Sequence, residues 1–274
     1  MASETNEGKL QACCLVEYRP LPGTPSGELV KIGGIDTYHI SGKDQASKGK
    51  VIVLFTDVFG LTKNPRITAD EIAEKSGFDV YVPDLFNGEP LPSSLLSYMP
   101  DEAGKKLSFG NKLAMGGKML TTAGPWLIRH RQAVTLPIVE TFLKTLRTEK
   151  GATRIEAVGY CFGGLYAVLA GSEQYHLADA VVGCHASLAT KANYEQVNVP
   201  IAMACAQEDE HFSDAFRSEV EQIFARKPQM PSKFIVTDGT AHGFASRPNP
   251  DNSVVMKAYT QANDLIAEWA KAHL

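Results

Sequence analysis

Between an apolar, strand-like run at residues 154–158 and a helix-like run at 165–171 lies Gly159-Tyr160-Cys161-Phe162-Gly163-Gly164. A strand that turns sharply into a helix around a glycine-flanked residue is the arrangement of a nucleophile elbow. The glycines let the backbone take a strained turn and let helix and strand approach closely, which leaves the central side chain standing above the sheet. Here that side chain is the thiol of Cys161. A thiolate is intrinsically nucleophilic, and a helix N-terminus stabilises the negative charge beside it. Plain packing is the competing explanation, because cysteine is among the most buried residue types and glycines also serve close contacts. The motif nominates Cys161 as a nucleophile; its context has to supply the partners.

The partners follow in the order expected of an α/β-hydrolase, which runs nucleophile, acid, histidine along the chain. After a strand-like run at 200–206 comes Glu208-Asp209-Glu210, and after another at 233–237 comes Gly239-Thr240-Ala241-His242-Gly243-Phe244. Both lie just beyond strand C-termini, where open α/β sheets place their chemistry. Charge alone does not choose among Glu208, Asp209 and Glu210. The losers would be solvated carboxylates in a turn.

Apolar runs at 51–55, 80–82, 155–158, 180–183, 201–204 and 234–236 alternate with helical patterns at 67–75, 136–146, 165–174, 214–225 and 254–273. That alternation predicts an α/β fold with a mainly parallel sheet and helices on both faces, and the chain order of nucleophile, acid and histidine suits its α/β-hydrolase form. Ahead of it, residues 28–32 and 36–40 flank Gly33-Gly34 and read as a β-hairpin, since the diglycine supplies a positive-φ turn. Residues 1–27 read as an irregular N-terminal arm and 28–274 as one domain, a size that 44% hydrophobic content can fill. Between 86 and 126 glycines and prolines replace the strand pattern, which predicts a lid-like excursion roofing the site rather than an inert surface insertion.

With 27 basic residues scattered and a net charge of −4, no basic stripe points to nucleic acid, so a small molecule is the expected partner. No apolar run approaches the roughly 18 residues of a membrane span, and the first residues lack a signal-peptide pattern, so we expect a soluble, cytoplasmic protein. Five scattered cysteines make no disulfide framework and fit a reducing compartment. Cys184 and Cys205 read as core, and Cys13-Cys14 have no assigned role. His39, His130, His176 and His273 show no metal-ligand spacing, so neither metal nor cofactor is implied. No heptad pattern advertises a coiled-coil partner, and a monomer is expected.

Four motifs together resemble the dienelactone hydrolases (carboxymethylenebutenolidases), most closely their fungal branch: Asp57-Val58-Phe59-Gly60-Leu61, Tyr81-Val82-Pro83-Asp84-Leu85-Phe86, the Cys161 motif and Ala241-His242-Gly243-Phe244. The match runs from Thr24-Pro25-Ser26-Gly27 to Trp269. The resemblance implies a Cys-His-Asp triad acting on lactones or activated esters, carried here by Cys161, His242 and an acid of the 208–210 cluster. The family commonly has Asp closely followed by Phe, which selects Asp209, three residues before Phe212. It also implies an oxyanion hole from the backbone N–H groups of Val58 and Phe162 and places Asp57, His185 and Arg247 at the substrate site. Asp57 stands where the family often has a longer glutamate; strand-end capping is its alternative role, a satisfied histidine that of His185, and a surface arginine that of Arg247. Bacterial relatives carry an arginine after the Asp-Leu-Phe segment, whereas this chain has Asn87-Gly88-Glu89, which argues against a small dicarboxylate-like dienelactone as the natural substrate. The alternative from another class is a family member that has left hydrolysis for ligand binding, isomerisation or cyclisation in secondary metabolism.

Overall fold

The computed structural model describes residues 20–99, 102–104 and 116–274. Most of the expected N-terminal arm, with Cys13 and Cys14, and part of the 86–126 excursion lie outside the described residues. Eight strands form one sheet: β1 (Glu28–Ile32), β2 (Ile35–Ile40), β3 (Lys50–Phe55), β4 (Asp79–Pro83), β5 (Arg154–Tyr160), β6 (Ala180–Cys184), β7 (Ile201–Glu208) and β8 (Ser232–Ala241). Their order is β1-β2-β4-β3-β5-β6-β7-β8, with β2 antiparallel to both β1 and β4 and every other pairing parallel. The helices are α1 (Lys63–Ser76), α2 (Gly124–Arg129), α3 (Gln132–Glu149), α4 (Gly163–Ala170), α5 (Lys191–Glu195), α6 (Asp214–Ala225) and α7 (Ser253–His273).

Strand alternation builds two cores. Val51, Val53 and Phe55 of β3 point into one with Leu143 of α3, Val168 of α4 and Phe224 of α6, while Ile52 and Leu54 point into the other with Ile72 of α1 and Ile266 of α7. Successive side chains of a strand face opposite sides, so strands covered on both faces are apolar throughout, which is why these runs are legible in the sequence. β4 flanks β3 on one side and β5 flanks it on the other, so the winding direction reverses between β3 and β5. Open α/β sheets bind their ligands at such a switch point, beyond the strand C-termini. Asp57 and Val58 leave β3 there, and Cys161 leaves β5.

Some boundaries differ from the sequence expectation. β8 extends to Ala241 through Gly239, a poor strand former, because pairing with β7 overrides propensity. A bulge between Ala206 and Glu208 absorbs the irregularity, and Gln207 Oε1 accepts the Gly239 N–H at 2.6 Å. The resulting register pairs Glu208 with Ala241, so Asp209 and His242 leave neighbouring parallel strands side by side. α1 and α3 begin before the apolar periodicity does, and α4 ends at Ala170 ahead of the expected residue 174, where Gly171 packs against Val181 and Val199.

Glu156 breaks the apolar run of β5. It is fully buried and neither carboxylate oxygen has a hydrogen-bond partner among the described residues, and burial pushes its pKa well above the usual carboxylate range. An acid whose folded pKa is raised holds its proton longer folded than unfolded. Its destabilising contribution is therefore absent below the unfolded value near ~4.3 and grows as pH rises toward the folded one. Glu156→Gln is expected to raise Tm at pH 8 by about 2–4 °C and to give no such gain at pH 4. Melting curves at the two pH values check this, and an equal shift at both would refute the titration account.

Candidate active site

Cys161 occupies the turn between β5 and α4 with φ of 50°, in the left-handed region that side chains other than glycine seldom adopt. The turn is possible because its glycines are bare: a Cβ on Gly159 would fall on the Gly163 carbonyl, and one on Gly163 would fall on the Phe55 carbonyl of β3. The Cys161 carbonyl accepts from Gly164 N–H at 2.9 Å and Ser187 N–H at 3.0 Å, and its own N–H donates to the Cys184 carbonyl at 3.2 Å. Strain held in place from three sides is characteristic of functional positions.

His242 follows β8 directly. Its Nδ1 lies 2.8 Å from Asp209 Oδ2, and the Asp209 side chain is 1% exposed. The other Asp209 oxygen accepts the N–H groups of His211 at 2.8 Å and Phe212 at 3.2 Å, which aims the carboxylate. Glu208 and Glu210 are exposed, and Glu208 Oε2 instead accepts the Gly104 N–H at 2.8 Å. Of the three acids, Asp209 is the one brought to His242. The far ring nitrogen, Nε2, is buried without a geometrically complete hydrogen bond, yet the ring interacts with Cys161. Burial alone would lower the pKa of His242; the negative charge of Cys161 and the Asp209 hydrogen bond outweigh it and raise it to about 9.

Val58 and Phe162 stand on either side of the β3 and β5 ends. Neither N–H donates a backbone hydrogen bond among the described residues, while the Val58 carbonyl accepts from Leu91 N–H at 2.8 Å. Asp57 is buried, with its oxygens on Phe59 N–H at 2.9 Å and Ser246 Oγ at 2.8 Å. Burial raises its pKa against those two hydrogen bonds and the nearby Arg247. Arg247 donates from Nη2 to the His242 carbonyl at 2.7 Å and lies over Gly243, so it braces the backbone that carries the histidine. His185, 1% exposed with φ of 38°, has no hydrogen-bond partner on either ring nitrogen among the described residues and sits edge-on to His242 at 5.0 Å between ring centroids. Burial first, then the charge of His242, hold its pKa well below 6.5 and keep it neutral.

The described part of the 86–126 excursion packs onto the elbow. Phe86 and Trp126 lie 5.4 and 5.5 Å from Phe162, ring centre to ring centre, and Trp126 Nε1 donates to the Glu89 carbonyl at 2.7 Å. Ser187, Ser246 and His211, whose ring is 4.8 Å from that of His242, escaped the sequence reading. Small hydroxyls in loops carry no periodic signal; only their positions two, four and two residues after His185, His242 and Asp209 could have raised them. Among the described residues no cluster of three or more His, Cys, Asp or Glu is arranged to hold a metal.

A model of the dienelactone hydrolase family matches residues 35–274. The chain belongs to that family. The matched segment contains every residue of the site just described, and membership makes this chain a hydrolase. Among relatives of this dienelactone hydrolase family member, the hydrolase tropI of Talaromyces stipitatus is 29% identical over 96% of both chains. The hydrolase pyvD of Aspergillus violaceofuscus is 30% identical over 82% of this chain and 81% of its own. In three dimensions the chain is similar to a putative dienelactone hydrolase from Klebsiella pneumoniae, with a TM-score of 0.64 at 13% identity over 87% of this chain and 93% of that one, a likeness of fold alone. The dienelactone hydrolase chain has, among its described residues, no helix long and apolar enough to cross a membrane.

Proposed function

We propose that the protein hydrolyses lactones or activated esters through a thioester acyl-enzyme, with Cys161 as nucleophile, His242 as acid and base and Asp209 orienting the imidazole. The observation that supports this most is the alignment of a strained, partly exposed Cys161 with a histidine whose other nitrogen is 2.8 Å from a buried carboxylate. The raised pKa of His242 favours its imidazolium form at neutral pH. The thiolate attacks the carbonyl carbon, and the oxygen that takes up the negative charge is held by the N–H groups of Val58 and Phe162. Collapse breaks the carbon–oxygen bond, the imidazolium gives its proton to the leaving oxygen, and a thioester remains. Neutral His242 then takes a proton from water, whose oxygen attacks the thioester; thiolate departs, the acid is released and the imidazolium is restored.

Thiolate leaves readily, so lactones and esters with enol or aryl leaving groups suit this site better than amides or simple alkyl esters. Phe86, Trp126 and Phe162 are almost fully buried against one another and back the elbow that carries Cys161. His185 would act from behind His242, as an uncharged ring packed edge-on against it, Asp57 from behind the β3 loop, and Arg247 by keeping His242 in place. The test is to mix the enzyme with an activated aryl ester, quench with acid and locate the acyl group by mass spectrometry. We expect a burst of aryl alcohol with the acyl mass on Cys161, released by neutral hydroxylamine as a thioester. Turnover with the acyl group on any other residue, or none on the protein, would reject the mechanism.

A further inference from the structure

We propose that Ser187 is a further catalytic residue, whose hydroxyl donates a hydrogen bond to the sulfur of Cys161 and stabilises its thiolate. The inference rests on the reading of Cys161 as the nucleophile. Ser187 Oγ is 3.8 Å from Cys161 Sγ, within reach of a hydroxyl to the large sulfur atom, and the serine is 6% exposed. The sulfur is the one hydrogen-bond partner of that hydroxyl among the described residues. A thiolate only accepts, so the hydroxyl must donate to it, and a bond to a charged acceptor is roughly twice as strong as one to a neutral partner. The contact thus favours thiolate over thiol. It also helps the second half of the reaction, where the same thiolate leaves.

The loop after β6 is built to hold this serine there. His185 and Leu188 both have positive φ, 38° and 67°, a strained arrangement that persists only where the surroundings enforce it. Ser187 N–H is tied to the Cys161 carbonyl at 3.0 Å, and Ala186 packs so closely on Gly164 that a Cβ at 164 would collide with its own. Backbone and side chain of Ser187 therefore grip the same residue. One short loop serves both members of the couple, Ser187 at the sulfur and His185 edge-on to His242.

The titratable and charged groups around the couple are His242 and Asp209 beyond β8 and β7, His211 beside them, His185 on the β6 loop, Asp57 beyond β3 and Arg247 after His242; a change at Ser187 alters none of them chemically. The experiment follows iodoacetamide alkylation of Cys161, read by site-resolved mass spectrometry from pH 5 to 9, in the wild type, Ser187→Ala and Ser187→Thr, with circular dichroism and Tm as controls for folding. At pH 7 we expect alkylation of the alanine variant to slow by about 3- to 10-fold, less than an average charged hydrogen bond would give because sulfur is a weak, distant acceptor. Its pH profile should move to higher pH, and threonine, which keeps the hydroxyl, should hold the wild-type profile. A folded alanine variant with the wild-type profile overturns the proposal, as does a folded threonine variant that behaves like alanine. A change confined to KM for ester, with alkylation untouched, would make Ser187 a substrate contact and equally refute it. Alkylation reads the thiol without turnover, so these outcomes stand apart from a failure of the hydrolase reading, which would show as an ester acyl group on another residue.

Discussion

Replacing Cys161 by alanine is expected to lower kcat/KM for an activated aryl ester or unsaturated lactone by about 10⁴-fold or more while leaving the fold intact. The size follows from what the proposed mechanism loses: the one atom that would form the covalent intermediate, with no other nucleophile among the described residues hydrogen-bonded to His242. Ser187 is the nearest candidate, but its hydroxyl points to the sulfur and His242 is not its hydrogen-bond partner. The residual rate would come from polarisation by the Val58 and Phe162 N–H groups, which water attack can exploit without a covalent step. Stability should barely change, because alanine and cysteine bear the same cost at a φ of 50° and the hydrogen bonds that hold the elbow are made by backbone atoms. Steady-state kinetics at matched folded concentration measures the effect; a variant retaining a tenth of wild-type turnover would remove Cys161 from the mechanism.

Asp209→Asn is expected to lower kcat by about 10²- to 10³-fold and to displace the alkaline limb of the pH profile. The asparagine can still accept the N–H groups of His211 and Phe212, so the loop keeps its shape. What it loses is the charge facing His242 Nδ1. Asp209 is one of the two groups that raise the histidine to about 9 against its burial, and without it the value falls back toward or below the ordinary ~6.5. Acylation needs the imidazolium to protonate the leaving oxygen, so the wild-type profile should decline near pH 9 and that of the variant one to two units lower. Linkage gives the same sign for stability. A histidine whose folded pKa is raised stabilises the protein fully below its unfolded value near ~6.5, and that contribution is lost as pH rises through about 9. The variant should therefore lose less stability than the wild type between those limits. An unchanged alkaline limb would show that Asp209 does not govern the imidazole.

The residues that the sequence exposed differ in kind from those it hid. Cys161 announces itself because its geometry is local: two flanking glycines, a strand before and a helix after lie within one short stretch. His242 is nearly as visible, since it follows a strand end in the chain order that its partners require. The sheet and its covering helices show in the alternation of apolar runs, which arises from burial on both faces of parallel strands. The true extent of β8 stayed hidden because Gly239 and its polar neighbours argue against a strand, and only pairing with β7 keeps them in one.

Order along the chain thus determined the class of fold and singled out the proposed nucleophile and histidine, because short-range backbone geometry and face-by-face burial are written into residue spacing. Tertiary structure decided which of three adjacent carboxylates meets the imidazole, since that depends on the register of β7 against β8 and its bulge, and a shift of one residue would have pointed a different acid inward. It also decided that Ser187 would touch Cys161 and Ser246 would touch Asp57. Those contacts join residues 26 and 189 positions apart, and no local pattern could specify them before the strands had assembled.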